Sequence, residues 1–351
     1  MRRAIILFTF FSTAILPHCR SQNNFVSLPK VELHLHLDCS LSFDVVKKLN
    51  PSISFQDYRK DFVAPSKCPS LADYITRAIK GVELMQTKEQ LRLVTLDLFD
   101  QLKSDNVIYA EIRFAPLLHL AKGLSGEEVV RAVNDAVVEG IKKTGIEAGI
   151  ILCTLRHFSE AQSMATVHLF DKFENSQVVG FDIAADEAGF PITNHIKAFD
   201  YAHANGISCT AHAGEAKGPE SVKETLRFFR PSRIGHGVRS MEDTALIKIL
   251  KDKGIHLEVC PTSNVQTNVF DKMESHNINR IYNAGVSMSV NTDARTISDV
   301  TLTKEYATLK KYFNWDKEHF LKCNLEAIGH AFASKEKKAI IREKIIKAYR
   351  E

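Results

Sequence analysis

Several common protein classes are excluded by what the 351-residue sequence lacks. Its seven cysteines, an odd number, never stand in a CxxC spacing, so neither a disulfide framework nor a cysteine zinc site is indicated. Cys153, Cys209 and Cys260 fall in apolar strand-like runs and read as small core fillers. No block of Lys and Arg stands out and the net charge is only +4, which points away from nucleic acid and towards a small-molecule partner. There is no internal repeat, no heptad run and no Pro/Gly/Ser linker. Nor does a GxGxxG follow the first strand-like run, which argues against a dinucleotide fold. Nothing in the sequence indicates an oligomer.

With 44% apolar and 25% charged residues, the chain can bury a large core. The first 22 residues stand apart. Arg2 and Arg3 precede the apolar run "AIILFTFFSTAILP", and polar "HCRSQNN" follows. A basic start, a short apolar run and a small-residue site after Ser21 is the layout of a secretory signal, and the run is too short for a membrane span. The expectation is therefore an exported protein, periplasmic or secreted, with one domain over 23–351. A cytoplasmic protein with a non-structural leader is the alternative.

Over that domain, strand-like runs at 30–38, 107–116, 147–156, 178–187, 207–215, 233–238, 256–264 and 286–294 alternate with helical patterns. Helical periodicity covers 126–143, 159–174, 194–205 and 241–253. Such alternation implies βαβ units and a parallel sheet, and eight strands predict an α/β fold of the closed (β/α)8, or TIM, barrel type. A helical insert at 71–104 follows strand one, and 316–351 reads as C-terminal helices. An open doubly wound sheet is the competing architecture.

Barrel enzymes place their chemistry at the C-terminal ends of the strands. Those ends read "HLHLD", "AHAGE", "IGHG" and "NTDA". His34 and His36 lie two apart, so both point inwards while Leu33, Leu35 and Leu37 face the helices. With His212 and Asp293 they form a three-imidazole, one-carboxylate set that suits zinc and leaves room for a water. Glu215 could reach a substrate from just past strand five, or could simply cap the next helix. His236 could hydrogen-bond the water, or be a satisfied core histidine. Leu71, Tyr74 and Ile75 stand at the i, i+3, i+4 spacing of an ordinary helix packing stripe.

The motifs "PKVELHLHLD", "HAGE", "RIGHG", "CPTSN" and "NTDA" together resemble the adenosine deaminase family of the amidohydrolase superfamily, over about residues 28–349. The cytidine-deaminase zinc motif, HxE with PCxxC, is absent. The resemblance implies one zinc per chain on His34, His36, His212 and Asp293, with hydroxide attacking C6 of a 6-aminopurine. It implies that Glu215 protonates N1, and that His236 and Asp293 orient the hydroxide. It assigns substrate contacts to His36, to Asp38 at the ribose, to the Ala185 backbone at N3, and to Leu71 and Tyr74 as an apolar cover.

Three positions depart from the family pattern: Ala185 stands where the family usually has a glycine, which leaves the backbone donor in place at the cost of a methyl near the ring. Ala294 replaces a second aspartate that would meet N7, leaving Arg295 or Asn264 as candidates for that contact, and Cys39 replaces a glycine. The expected reaction is deamination of adenosine or 2′-deoxyadenosine to inosine or 2′-deoxyinosine plus ammonia. The alternatives are another 6-aminopurine nucleoside such as aminodeoxyfutalosine, and a secreted nucleoside-binding protein that has lost turnover. Amide-cleaving relatives with a lysine bridging two metals fit less well, because no lysine stands at a strand end.

The leader reading carries its own test. N-terminal sequencing of the protein from its native host is expected to begin at about Gln22. An intact Met1 in a soluble cytosolic fraction would contradict export.

Overall fold

The computed structural model describes residues 25–351, so the leader and the first two residues of the expected domain lie outside the described residues. Eight parallel strands form one sheet in sequential order. They are β1 (Lys30–His36), β2 (Val107–Phe114), β3 (Glu147–Leu155), β4 (Val178–Ala184), β5 (Ser208–Ala213), β6 (Arg233–His236), β7 (His256–Val259) and β8 (Met288–Val290). The sheet closes through an isolated bridge between Leu35 and Asp293. There the amide of His36 donates to the Asp293 carbonyl at 2.8 Å, and the amide of Asp293 donates to the His34 carbonyl at 2.9 Å. The fold is the expected (β/α)8 barrel.

Helices cover the outside of the barrel, and their starts are written locally. Ser125 with Glu128, and Ser159 with Gln162, form capping boxes that satisfy the first free amides of Gly126–Thr144 and Glu160–Val167. Leu33, Leu35 and Leu37 are fully buried in the layer between strands and helices, as their spacing predicts. Lys317–His330 and Lys335–Arg350 are the C-terminal helices.

The strands are shorter than the sequence suggests, all of them at the end that carries the chemistry, and β5 and β8 at their starts as well. β5 stops at Ala213, β7 gives way to the helix Pro261–Gln266, and β8 has only three residues. Asp38, expected to lie on β1, sits in the 3-10 turn Leu37–Cys39. At β4, β6 and β8 the cause is backbone: Ala185, His236 and Asp293 have φ of 79°, 59° and 62°, a conformation that a β ladder cannot continue.

The insert after β1 also begins earlier than 71, with helices Phe43–Leu49 and Phe55–Phe62 preceding Leu71–Ile75, Ala78–Glu83 and Lys88–Ser104. Ala78–Glu83 presses on the Asp38 turn. A Cβ on Gly81 would lie 2.3 Å from the Asp38 carbonyl oxygen, so only glycine allows this approach. Gly81→Ala is expected to cost about 1–3 kcal/mol as an overpacked contact against backbone. Urea unfolding of the variant measures it, and an unchanged midpoint would disprove the close approach.

Candidate metal centre and active site

His34 and His36 on β1, His212 on β5, His236 at the end of β6 and Asp293 beyond β8 converge at one end of the barrel. Nε2 of His34 and Nε2 of His36 lie 3.5 and 3.4 Å from Oδ1 of Asp293. Nε2 of His36 and Nε2 of His212 are 3.2 Å apart. Ligand atoms placed tetrahedrally about 2.0–2.1 Å from one ion are separated by about 3.3 Å, so these spacings suit a single metal. Gly235 makes room for the rings, since a Cβ there would stand 2.9 Å from Cε1 of His34.

The far side of two imidazoles is fixed by carboxylates. Nδ1 of His34 meets Glu258 at 2.9 Å, and Nδ1 of His212 meets Asp182 at 3.1 Å. A carboxylate at Nδ1 keeps the proton there and turns the bare Nε2 lone pair inwards. Nε2 of His34 is indeed buried without a hydrogen-bond partner. A buried orphan acceptor is costly unless something occupies its lone pair. Three imidazoles and a carboxylate are the donor set of a borderline divalent ion. His236 belongs to the same cluster, with a ligand atom within 4.8 Å of those of His34, His212 and Asp293. The donors therefore form a site for a metal ion.

Below the site, Arg113 bridges the two carboxylates, reaching Glu258 at 2.7 Å and Asp182 at 2.8 Å. Arg233 adds a second cation, 2.7 Å from Glu258 and 2.6 Å from Glu111. All five are fully buried. Burial would raise the Glu258 carboxyl, but Arg113 and Arg233 outweigh it and hold it well below the usual carboxylate range. Asp182 is likewise held down against burial by His212 and Arg113. Sequence reading missed this layer. Its signal was a charged residue inside a strand otherwise apolar, as in "YAEIRF", "GFDIA" and "HLEV".

Above the site opens a pocket of about 460 Å³. Its walls include Asp38, Leu71, Tyr74, Ala185, Glu215 and Ala294. No Lys or Arg lines it among the described residues. Glu215 is buried and its carboxyl is raised well above the usual range by burial, with Asp293 and Glu187 adding to the effect. It does not cap the next helix, because Pro219–Phe228 begins at Gly218 with no side-chain cap. Asp38 is raised to about 6 by burial.

The loop that carries Glu215 is held by Glu187, a residue given no role from sequence. Its carboxylate accepts from the amides of Gly214 (2.7 Å), Glu215 (3.0 Å) and Lys217 (2.9 Å) and from the Ser221 hydroxyl (2.5 Å).

Neither residue named for the N7 contact faces the pocket. Arg295 is committed to Glu32 (2.7 Å) and Asp105 (2.9 Å), because those buried carboxylates demand a cation. Asn264 instead contacts Nδ1 of His236 at 3.0 Å. The Ala294 methyl therefore stands in the wall without a polar substitute from either.

The sequence profile of the adenosine deaminase family matches residues 29–348. The chain belongs to the adenosine deaminase family. It is 34% identical over 327 residues to an adenosine deaminase of Clostridium acetobutylicum, covering 91% of this chain and 98% of that one. Among solved structures, adenine deaminase of Arthrobacter aurescens superposes with a TM-score of 0.85 at 23% identity, over 92% of this chain and all of its own. An amidohydrolase of Burkholderia ambifaria with bound Zn gives 0.87 at 21% identity, over 96% of this chain and 95% of that one. These two share the barrel. Membership of the family makes the protein a hydrolytic deaminase. No described helix is long and apolar enough to cross a membrane.

The buried bridge yields a prediction. Arg113→Met leaves Glu258 and Asp182 without their shared cation, which is expected to cost about 3–5 kcal/mol of stability. Metal affinity should fall about 10–100-fold, because His34 and His212 lose their orientation. Chemical unfolding and metal titration measure the two effects, and a variant that binds metal as the parent does would refute the linkage.

Proposed function

We propose that the protein is a zinc-dependent deaminase of adenosine and 2′-deoxyadenosine. The observation that carries this reading is Glu215: a buried carboxyl raised well above its ordinary range by burial, beside the cluster of His34, His212, His236 and Asp293, in a chain of the adenosine deaminase family. His34, His36, His212 and Asp293 would hold the ion. When bound, it lowers the pKa of a water towards about 7 and so supplies a nucleophile at neutral pH.

The residues do the remainder. Glu215 donates its proton to purine N1 as C6 becomes tetrahedral, dispersing charge that exists only in the transition state. Asp293, whose Oδ2 accepts from the Ser263 hydroxyl at 2.7 Å, and His236 orient the attacking oxygen. The 6-amino group leaves as ammonia and a 6-oxopurine remains. Asp38 accepts from sugar hydroxyls, which favours a nucleoside over a free base. Ala185 offers its backbone amide to N3, and Leu71 and Tyr74 cover the pocket. A wall without Lys or Arg leaves a 5′-phosphate uncompensated, which disfavours nucleotides. The missing carboxylate at Ala294 costs about 0.5–1.5 kcal/mol of base binding and leaves the chemistry intact. We further propose that the mature enzyme acts outside the cytoplasm, on the strength of its leader.

The test is metal content together with loss of absorbance on adenosine, 2′-deoxyadenosine, adenine, AMP and aminodeoxyfutalosine. Turnover of the last compound alone would replace the substrate assignment. In Glu215→Gln, kcat should fall at least about 10²-fold, while metal content and KM stay near the parent values. Because Glu215 must carry its proton to act, kcat/KM should decline as pH rises through its raised pKa. A Gln variant that keeps more than about a tenth of the parent kcat would exclude Glu215 as the donor.

A further inference from the structure

We propose that Asn264 and His276 are positioning residues that fix His236 as the neutral tautomer with its proton on Nε2, the nitrogen turned towards Glu215. The inference needs no substrate, and only its kinetic consequence rests on the proposed reaction.

The direction of each bond follows from the one before it, starting at a backbone amide, which can only donate. The amide of Ile278 donates to Nδ1 of His276 at 3.0 Å. Burial holds this ring neutral, with its pKa pushed down to about 3. A neutral imidazole that accepts at Nδ1 carries its hydrogen on Nε2. That Nε2 faces Oδ1 of Asn264 at 3.4 Å, so the amide presents its oxygen to His276. Its NH2 group then points the other way, to Nδ1 of His236 at 3.0 Å. A proton on that Nδ1 would oppose donor to donor. Nδ1 of His236 therefore accepts, and the ring's single proton sits on Nε2, 3.5 Å from Oε2 of Glu215. All three side chains are buried, so water does not relax the constraint.

Two consequences follow. An Nε2 that carries a proton has no lone pair for a metal. His236 thus lies inside the donor cluster yet outside the ligand set, and the ion is left to His34, His36, His212 and Asp293. The same N–H is a fixed donor aimed into the site, where it can hold the attacking oxygen. "CPTSN" accordingly acts through Asn264 on the ring of "RIGHG", not on the purine.

The experiment uses the full, zinc-loaded protein with ¹⁵N-labelled histidine and long-range ¹H–¹⁵N NMR. His236 signals are assigned by their loss in His236→Asn. We expect Nδ1 of His236 in the unprotonated range and Nε2 in the protonated range near neutral pH. The reverse pattern, or protons on both nitrogens, would overturn the proposal. So would loss of the metal from His236→Asn, since that would make His236 a ligand.

Asn264→Asp replaces the donor facing Nδ1 by an acceptor of the same size. Nδ1 should then gain a proton, and kcat should fall about 10²-fold with KM little changed, whereas a merely structural role would leave the ring's signals in place. A variant with the parent NMR pattern and the parent kcat also overturns the assignment. If the parent turned over no nucleoside, the proposed function would fail while the NMR result still decided the tautomer.

Discussion

The fully buried contact of Arg113 with Asp182 and Glu258 is the constraint on which the site depends. Each carboxylate aligns one imidazole, and each would be intolerable in the barrel interior without the guanidinium between them. Arg113 presents two nitrogens in a rigid plane, which a lysine could not do. Together Arg113 and Arg233 face Glu111, Asp182 and Glu258, two cations against three carboxylates, so each buried carboxylate of this layer has a guanidinium partner.

The backbone ties this polar core to the fold itself. Asp293 supplies a carboxylate to the cluster and, through its own amide and carbonyl, the hydrogen bonds that close β8 onto β1. His34 and His36 flank that bridge, so barrel closure and the spacing of three donor side chains are set by one short segment. Its positive φ and that of His236 end their ladders and turn the side chains over the barrel mouth. Strain of this kind is sustained where the surroundings over-determine it. Here Ser263 on Asp293 and Asn264 on His236, both from the helix after β7, provide that restraint.

The barrel was legible because eight strand-like runs alternate, for the most part, with helical patterns. The convergence of His34, His36, His212, His236, Glu215 and Asp293 was legible because they mark the ends of separate strands. What escaped were relations between residues remote in sequence. Arg113, Asp182 and Glu258 look like misplaced charges until three strands are brought together inside the barrel. Glu187 sits in a motif whose neighbour Ala185 drew the attention, yet it holds the Glu215 loop from 28 positions away. Arg295 and Asn264 were candidates for the N7 contact that Ala294 cannot make. Position along a chain does not say which way a side chain turns, and both turn to buried partners with stronger claims.

The same separation explains where variation is tolerated. The floor of the pocket is a web of charges in which each group satisfies another, so one replacement leaves an unpaired partner in a dry interior. The walls are different. Leu71, Tyr74 and Ala294 line the pocket, and the insert that carries the first two is packed against the barrel, not woven into its ladder. Ala294 makes the point within this chain. One residue along from Asp293, it loses a carboxylate without disturbing the cluster, because Asp293 is fixed by its own backbone and by Ser263. The floor is thereby fixed by the mutual satisfaction of its charges, and the walls of the pocket can change independently of it.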